Sequence, residues 1–159
     1  MAADLEDTLY LDVPAGRVVI EMRPDLAPEH CAHIKALARR GFYDGIVFHR
    51  VIAGFMAQTG DPTGTGSGGS GQRVKAEFSS EPHVRGVVSM ARTSDPNSAD
   101  SQFFICFADA TFLDNQYTVW GKVTEGMEHI DAIKKGEPRS GAVADPDKII
   151  KMQVAADAA

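Results

Sequence analysis

Eight short stretches of this chain alternate in the period of a strand and only two carry a helical period. That shortage of helix constrains the fold most. In the first two stretches, Leu9, Leu11 and Val13 alternate with Thr8, Tyr10 and Asp12, and Val18, Ile20 and Met22 with Arg17, Val19 and Glu21. Pro14-Ala15-Gly16 lies between them, so 8–13 and 17–22 are expected to form a hairpin. Further strands are expected at 46–51, 54–58, 86–91, 102–107, 117–123 and 147–154. A helix is expected over 28–40: Pro28 suits its first position, Arg39 and Arg40 its negative end, and Gly41 stops it. Cys31, Ile34, Leu37 and Ala38 form its inner stripe. A second is expected over 124–135, with Thr124 as N-cap, Met127, Ile130 and Ile133 as its stripe, and Pro138 against a restart. Two helices cannot cover both faces of eight strands. The sheet must therefore bury apolar residues against itself, as a sandwich or a closed barrel, and the pattern leaves that choice open.

At 159 residues one domain, 1–159, is expected. Such a chain buries roughly two-thirds of its unfolded surface, enough to need no disulfide or metal staple. Net charge is −6, and the only basic pairs are Arg39-Arg40 and Lys134-Lys135, which excludes a general nucleic-acid binder. No apolar run is long enough for a membrane-spanning helix. The opening Met-Ala-Ala-Asp-Leu-Glu-Asp lacks the apolar core of a secretory signal, so a cytoplasmic location is expected. Cys31 and Cys106 are expected to be reduced thiols, and the chain a monomer.

The chemistry is concentrated in two runs. One is Phe48-His49-Arg50-Val51-Ile52-Ala53-Gly54-Phe55-Met56-Ala57-Gln58, broken by Ala53-Gly54; the other is Ser101-Gln102-Phe103-Phe104-Ile105. They set Arg50, Gln58 and Gln102 among aromatic and Met neighbours. An arginine has five donors, no acceptor and a permanent charge. Such a group suits a reaction that needs polarisation but neither proton transfer nor a nucleophile. Hydrolysis is unsupported: no G-x-S-x-G occurs, and Asp95, Asp100, Asp109 and Asp114 read as turn residues. Gly64, Gly66 and Gly69 form a literal G-x-G-x-x-G, but 74–78 does not open a helix and no Gly-Lys-Ser/Thr follows, so the loop is read as a flexible wall rather than a nucleotide cradle. His30 and His33 lack a third ligand nearby and read as a solvated helix face; neither metal nor cofactor is expected. His49 should point away from Arg50 and be hydrogen-bonded. Taken alone, Arg50 reads as a strand-edge ion pair, and Phe55, Met56, Phe104, Phe112 and Leu113 as core. Strand alternation, however, sends Phe103 and Phe104, and likewise Phe55 and Met56, to opposite faces.

Together the two runs resemble the cyclophilins, the barrel-type peptidyl-prolyl cis-trans isomerases. Gly66-Ser67-Gly68-Gly69, Ser89-Met90-Ala91, Phe112-Leu113-Asp114 and Val119-Trp120-Gly121-Lys122-Val123 extend the likeness from about Thr8 to Val154. The resemblance implies a mainly β fold, a closed eight-stranded antiparallel barrel capped by two α-helices, with its binding groove on the outer wall. It implies isomerisation of X-Pro bonds in proline-containing peptides and unfolded protein clients. Phe55, Met56, Phe104 and Leu113 would form the proline pocket, with Met56 at its rim and Phe112 and Tyr117 flanking it. Arg50 would donate to the prolyl nitrogen, and Gln58 would hold the substrate carbonyl or orient Arg50. Backbone at Arg92 would pair with the peptide, and Gln102 with Ala91 would shape the neighbouring pocket. Phe112 and Tyr117 stand where many eukaryotic members carry Trp and His, as in the bacterial branch, and Arg92 replaces a common Asn. The missing indole donor implies weakened cyclosporin affinity. The alternative is a non-catalytic chaperone or scaffold that holds proline segments without turnover.

Overall fold

A computed structural model describes residues 5–66 and 68–158. Its strands are β1 (Thr8–Val13), β2 (Gly16–Met22), β3 (Arg50–Ile52), β4 (Met56–Thr59), β5 (Val87–Met90), β6 (Phe103–Cys106), β7 (Val119–Glu125) and β8 (Lys151–Val154). The helices are α1 (Pro28–Arg39) and α2 (Met127–Asp131). All pairings between these strands are antiparallel, in the order β3-β4-β6-β5-β7-β2-β1-β8. The sheet curls until its edges meet through the residues that precede β3 and β8. Phe48 N–H donates to the Asp147 carbonyl at 2.8 Å, Gly45 N–H to Ile149 at 2.7 Å, and Ile149 N–H to Ile46 at 2.7 Å. Of the two arrangements left open by the alternation, the chain adopts the barrel.

The interior is solid. Val51, Ala57, Ile105 and Val88 lie side by side across four strands, all fully buried. Phe103 stands edge-on to Trp120 and Tyr43, at 5.5 Å in both pairs. Burying a side chain of this size contributes about 1.5–3 kcal/mol. Cys31, Ile34, Leu37 and Ala38 of α1 and Ile130 of α2 join the same core. A barrel of eight strands is just filled by its own side chains, so a ligand must use the outside.

Three expectations about elements are corrected. Residues 46–49 are not a regular strand, because their partners 147–149 are irregular too; β3 begins at Arg50. The second helix is five residues, not twelve: Thr124 and Glu125 continue the β7 ladder, with Val19 opposite Glu125. The chain turns through Gly126, whose φ of +84° a side chain would resist and whose position is packed against the Arg17 carbonyl. Finally, His30 is not solvated. Its ring is fully buried, with Nδ1 2.6 Å from the Glu77 carboxylate, and His33 Nε2 lies 2.8 Å from the Asp100 carbonyl.

Candidate active site

Strand register aligns the outer wall. Arg50 pairs with Gln58, Gln58 with Phe104, and Phe104 with Ser89, making one row across β3, β4, β6 and β5. The next row on the same face holds Ile52, Met56 and Cys106. Because side chains alternate, Phe103 and Ile105 enter the barrel while Phe104 and Cys106 face outward. Met56, Phe104, Cys106, Ala110 and Leu113 form a second apolar cluster, separate from the barrel core and partly covered by Phe55, Ala91 and Tyr117.

In this cluster lies a pocket of about 120 Å³, lined by Arg50, Phe55, Met56, Gln58, Ala91, Arg92, Phe104, Leu113 and Tyr117. It has room for one small ring. Gln102 and Phe112, of the residues expected at the site, lie beside it. Gln102 lines a neighbouring cavity of about 350 Å³ with Gln58, Ala91, Arg92, Gly66, Gly68 and others. Phe112 stands at the rim, 67% exposed, its ring 5.6 Å from that of Phe55. Met56 is the floor and not the rim, being almost fully buried. The rim position came with the resemblance; strand alternation erred separately, in sending Phe55 and Met56 to opposite faces, because Phe55 is not in the strand. The turn Ile52-Ala53-Gly54-Phe55 is closed by Phe55 N–H on the Ile52 carbonyl at 3.0 Å, with Gly54 at φ +75°. Phe55 can thereby face the same pocket as Met56.

The polar groups form one directed chain. Arg50 Nη1 donates to Gln58 Oε1 at 3.2 Å and Arg50 Nε to the Ser140 carbonyl at 3.2 Å. Gln58 Nε2 donates to Gln102 Oε1 at 2.9 Å. Gln102 Nε2 donates to the carbonyls of Gly66 and Gly68 at 2.9 and 3.0 Å. The N–H groups on the two flanks of the glycine loop have acceptors: Asp61 holds those of Thr63, Thr65 and Gly66, and Asp100 those of Ser70 and Gly71. Ser67 lies outside the described residues. His49 packs its ring near Gly66, and its buried Nδ1 has no hydrogen-bond partner among the described residues, contrary to expectation.

Arg92 sits just past the end of β5, where Ala91 N–H still donates to the Gln102 carbonyl at 3.0 Å. Its guanidinium donates to the Gln116 carbonyl at 2.7 and 3.0 Å and lies 4.6 Å above the Tyr117 ring. Tyr117 in turn meets Phe104 edge-on at 5.8 Å. Sequence reasoning missed this side-chain role. It also missed the support behind Phe104, whose ring is stacked on His83 at 6.2 Å. His83 is fixed by Asp114 Oδ1 and Ser89 Oγ, each at 3.0 Å. That carboxylate–imidazole–hydroxyl line is no nucleophile: Ser89 is fully buried and its hydroxyl donates to the Thr118 carbonyl at 2.9 Å. The segments from 83 to 118 meet only in the folded chain, so no local spacing announces them.

A filled barrel with an apolar pocket and a guanidinium on its wall fits a ligand that brings a small ring to the outer surface. Known proteins give the family. Residues 8–154 match the family described as cyclophilin type peptidyl-prolyl cis-trans isomerase/CLD. A probable peptidyl-prolyl cis-trans isomerase of Brucella suis is 55% identical over 98% of this chain and 86% of that one. The human peptidyl-prolyl cis-trans isomerase-like 3 is 46% identical over 80% of this chain and 81% of its own. The crystal structure of cyclophilin AquaCyp293 from Hirschia baltica superposes with a TM-score of 0.90 at 30% identity, covering all of this chain and 77% of that one. A Cryptosporidium parvum cyclophilin determined in the presence of the dipeptide Ala-Pro superposes at 0.85 and 30% identity, covering 92% and 98%. The chain belongs to the cyclophilin-type peptidyl-prolyl cis-trans isomerases.

Proposed function

We propose that this isomerase seats the proline ring of a client on Phe55, Met56, Phe104 and Leu113 and lowers the rotational barrier with Arg50. The observation that carries the reading is the row Arg50-Gln58-Phe104, which sets a guanidinium beside a ring-sized apolar pocket. An X-Pro bond has partial double-bond character and a barrier of about 20 kcal/mol, while its two isomers differ by only about 0.5–1 kcal/mol. Twisting the bond returns the lone pair to the prolyl nitrogen. A donor aimed there binds the twisted form better than either planar one, which is the differential binding that catalysis requires. Gln58 orients Arg50 in this reading, since its oxygen accepts from Nη1 and its NH₂ is given to Gln102 rather than to a substrate carbonyl. The Arg92 main chain, beyond the β5 ladder, pairs with an extended substrate, and Ala91 and Gln102 shape the cavity that receives a neighbouring residue. The substrates are proline-containing peptides and unfolded protein clients, and the role is to assist their folding. Cyclosporin binds weakly, because Phe112 has no N–H to offer.

The test is Arg50→Ala in a peptide isomerisation assay. One directed donor in a partly dry site contributes a few kcal/mol to the transition state, so the rate should fall tenfold or more. Peptide affinity should change much less, since the apolar pocket remains. A folded variant as fast as the parent would overturn the role of Arg50.

A further inference from the structure

Asp61 follows β4 and is fully buried, yet the isomerisation uses no carboxylate. Its Oδ1 accepts the N–H and the hydroxyl of Thr63 at 2.8 and 2.7 Å. Its Oδ2 accepts the N–H groups of Thr65 and Gly66 at 3.1 and 2.5 Å and the Thr65 hydroxyl at 3.5 Å. Burial by itself would raise the carboxyl; the bonds from Thr63, Gly68 and Gly66 outweigh it and hold it well below the usual carboxylate range. Asp61 is thus a fixed negative centre around which the glycine loop is wrapped. A Cβ on Gly68 would collide with Oδ1, so the loop lies directly on the carboxylate.

Gly66 is where this cage meets the pocket. Its N–H is held by Asp61, and its carbonyl accepts Gln102 Nε2. From there the amide chain runs through Gln58 to Arg50. The chain has a sense: each amide presents its oxygen toward Arg50 and its NH₂ toward the loop. The loop carbonyls set that sense. Were they displaced, Gln102 could turn its NH₂ toward Gln58, Gln58 would turn in answer, and a donor would then face the guanidinium. Donor against donor repels, and Arg50 would leave its place.

We propose that Asp61 is a positioning residue for Arg50, holding the glycine loop so that its carbonyls orient the Gln102–Gln58 relay. The inference rests on the role given to Arg50 above. A merely structural Asp61 would act on stability and on rate independently of Arg50, whereas a positioning residue acts on rate only through it. The experiment is a double-mutant cycle: Asp61→Asn in the parent and in Arg50→Ala, with kcat/KM for a proline peptide, peptide affinity and the unfolding midpoint read for each. Asp61→Asn is expected to lower kcat/KM about tenfold in the parent, to leave peptide affinity nearly unchanged, and to cause no further loss in Arg50→Ala. The drop in unfolding midpoint should be equal in both backgrounds. A parental kcat/KM in Asp61→Asn, or the same fold-loss in both backgrounds, overturns the proposal. A parental rate in Arg50→Ala itself overturns both readings, whereas a slow Arg50→Ala with additive loss overturns this one alone. Should Asp61→Asn not fold, Thr63→Val, which removes one donor to the same carboxylate, goes through the same cycle with the same criteria.

Discussion

Phe112 stands at the rim of the pocket with most of its surface in water, and its ring leans on Phe55 without entering the floor. Phe112→Trp would add an N–H donor and a wider apolar face there. A new hydrogen bond is worth about 0.5–1.5 kcal/mol net, and added burial somewhat more, so cyclosporin inhibition should tighten on the order of tenfold. Turnover should stay within a few-fold, because the floor is untouched; titrating the inhibitor against both proteins decides it. Arg92 and Tyr117 belong together. The structure puts the guanidinium of one over the ring of the other. In a cycle of Arg92→Asn and Tyr117→His, urea unfolding should give a coupling of about 0.5–1 kcal/mol, as for a cation–π pair at a half-exposed site. Zero coupling would mean that Arg92 is held by the Gln116 and Thr93 carbonyls without help from the ring.

At the scale of elements, α1 shows how a distant residue completes a local one. Ala27 precedes its first residue and offers no side-chain acceptor. The cap comes from Glu77, whose carboxylate accepts the N–H groups of Glu29 and His30 at 3.2 and 2.8 Å and holds the buried His30 ring. Losing a cap costs about 0.5–2 kcal/mol, and stranding a buried polar group about 1–3 kcal/mol more. Glu77→Ala should therefore destabilise the protein by about 2–4 kcal/mol in urea unfolding, with amide exchange rising first at the start of α1. A loss below about 0.5 kcal/mol would assign the cap to water. Because Glu77 lies 47 positions from His30, no capping box could be read from the sequence. The opposite error shortened α2: the pattern at Thr124 fitted a cap, but pairing with β2 kept that residue in the sheet.

For the whole molecule, the buried titratable groups set how stability varies with pH. Burial lowers the His30 imidazole, against the opposing pull of Glu77, and burial also lowers His49, against the pull of Asp61 and with Arg50 adding to it. With folded values below the unfolded value of about 6.5, the unfolded chain takes up these protons first. Stability is therefore full above about pH 6.5 and is lost as pH falls from there through the folded values. Asp61, held below its unfolded value of about 3.9, adds stability that is present above that pH and lost as pH falls further. Urea midpoints should be level from about pH 7.5 to 9, decline below about 6.5 and steepen below about 4. The first decline should shrink in a His30→Gln, His49→Gln variant; an unchanged decline would assign it to other groups. Catalysis should behave differently, because no proposed step uses a titrating side chain or a metal. Burial pushes the thiols of Cys31 and Cys106 up to about 12, so neither ionises in the working range. Rates measured well below the unfolding midpoint should be nearly flat from about pH 6 to 9 and indifferent to EDTA, since Arg keeps its charge throughout. A bell-shaped profile would return His49 to the mechanism.

The sequence by itself determined the β-rich class, the hairpin of β1 and β2, the inner stripe of α1 and, within the first long motif and Phe104 of the second, part of the pocket lining; Ala91, Arg92, Leu113 and Tyr117 come from other segments. All of these are local or periodic: alternation records which face of a strand is buried, and a motif keeps its order along the chain. Tertiary structure alone decided what depends on segments far apart meeting. The barrel closes through residues 45–48 and 147–149. His30 is buried because Glu77 arrives over it, and Phe104 is backed by His83 because Asp114 and Ser89 converge there. Phe55 and Met56 share a pocket because a turn, and not a strand, carries the first of them. The N–H groups on the flanks of the glycine loop are satisfied because Asp61 and Asp100 reach them from either end. A buried carboxylate or amide must find its partners somewhere, and the one-dimensional pattern does not encode the distance at which they lie.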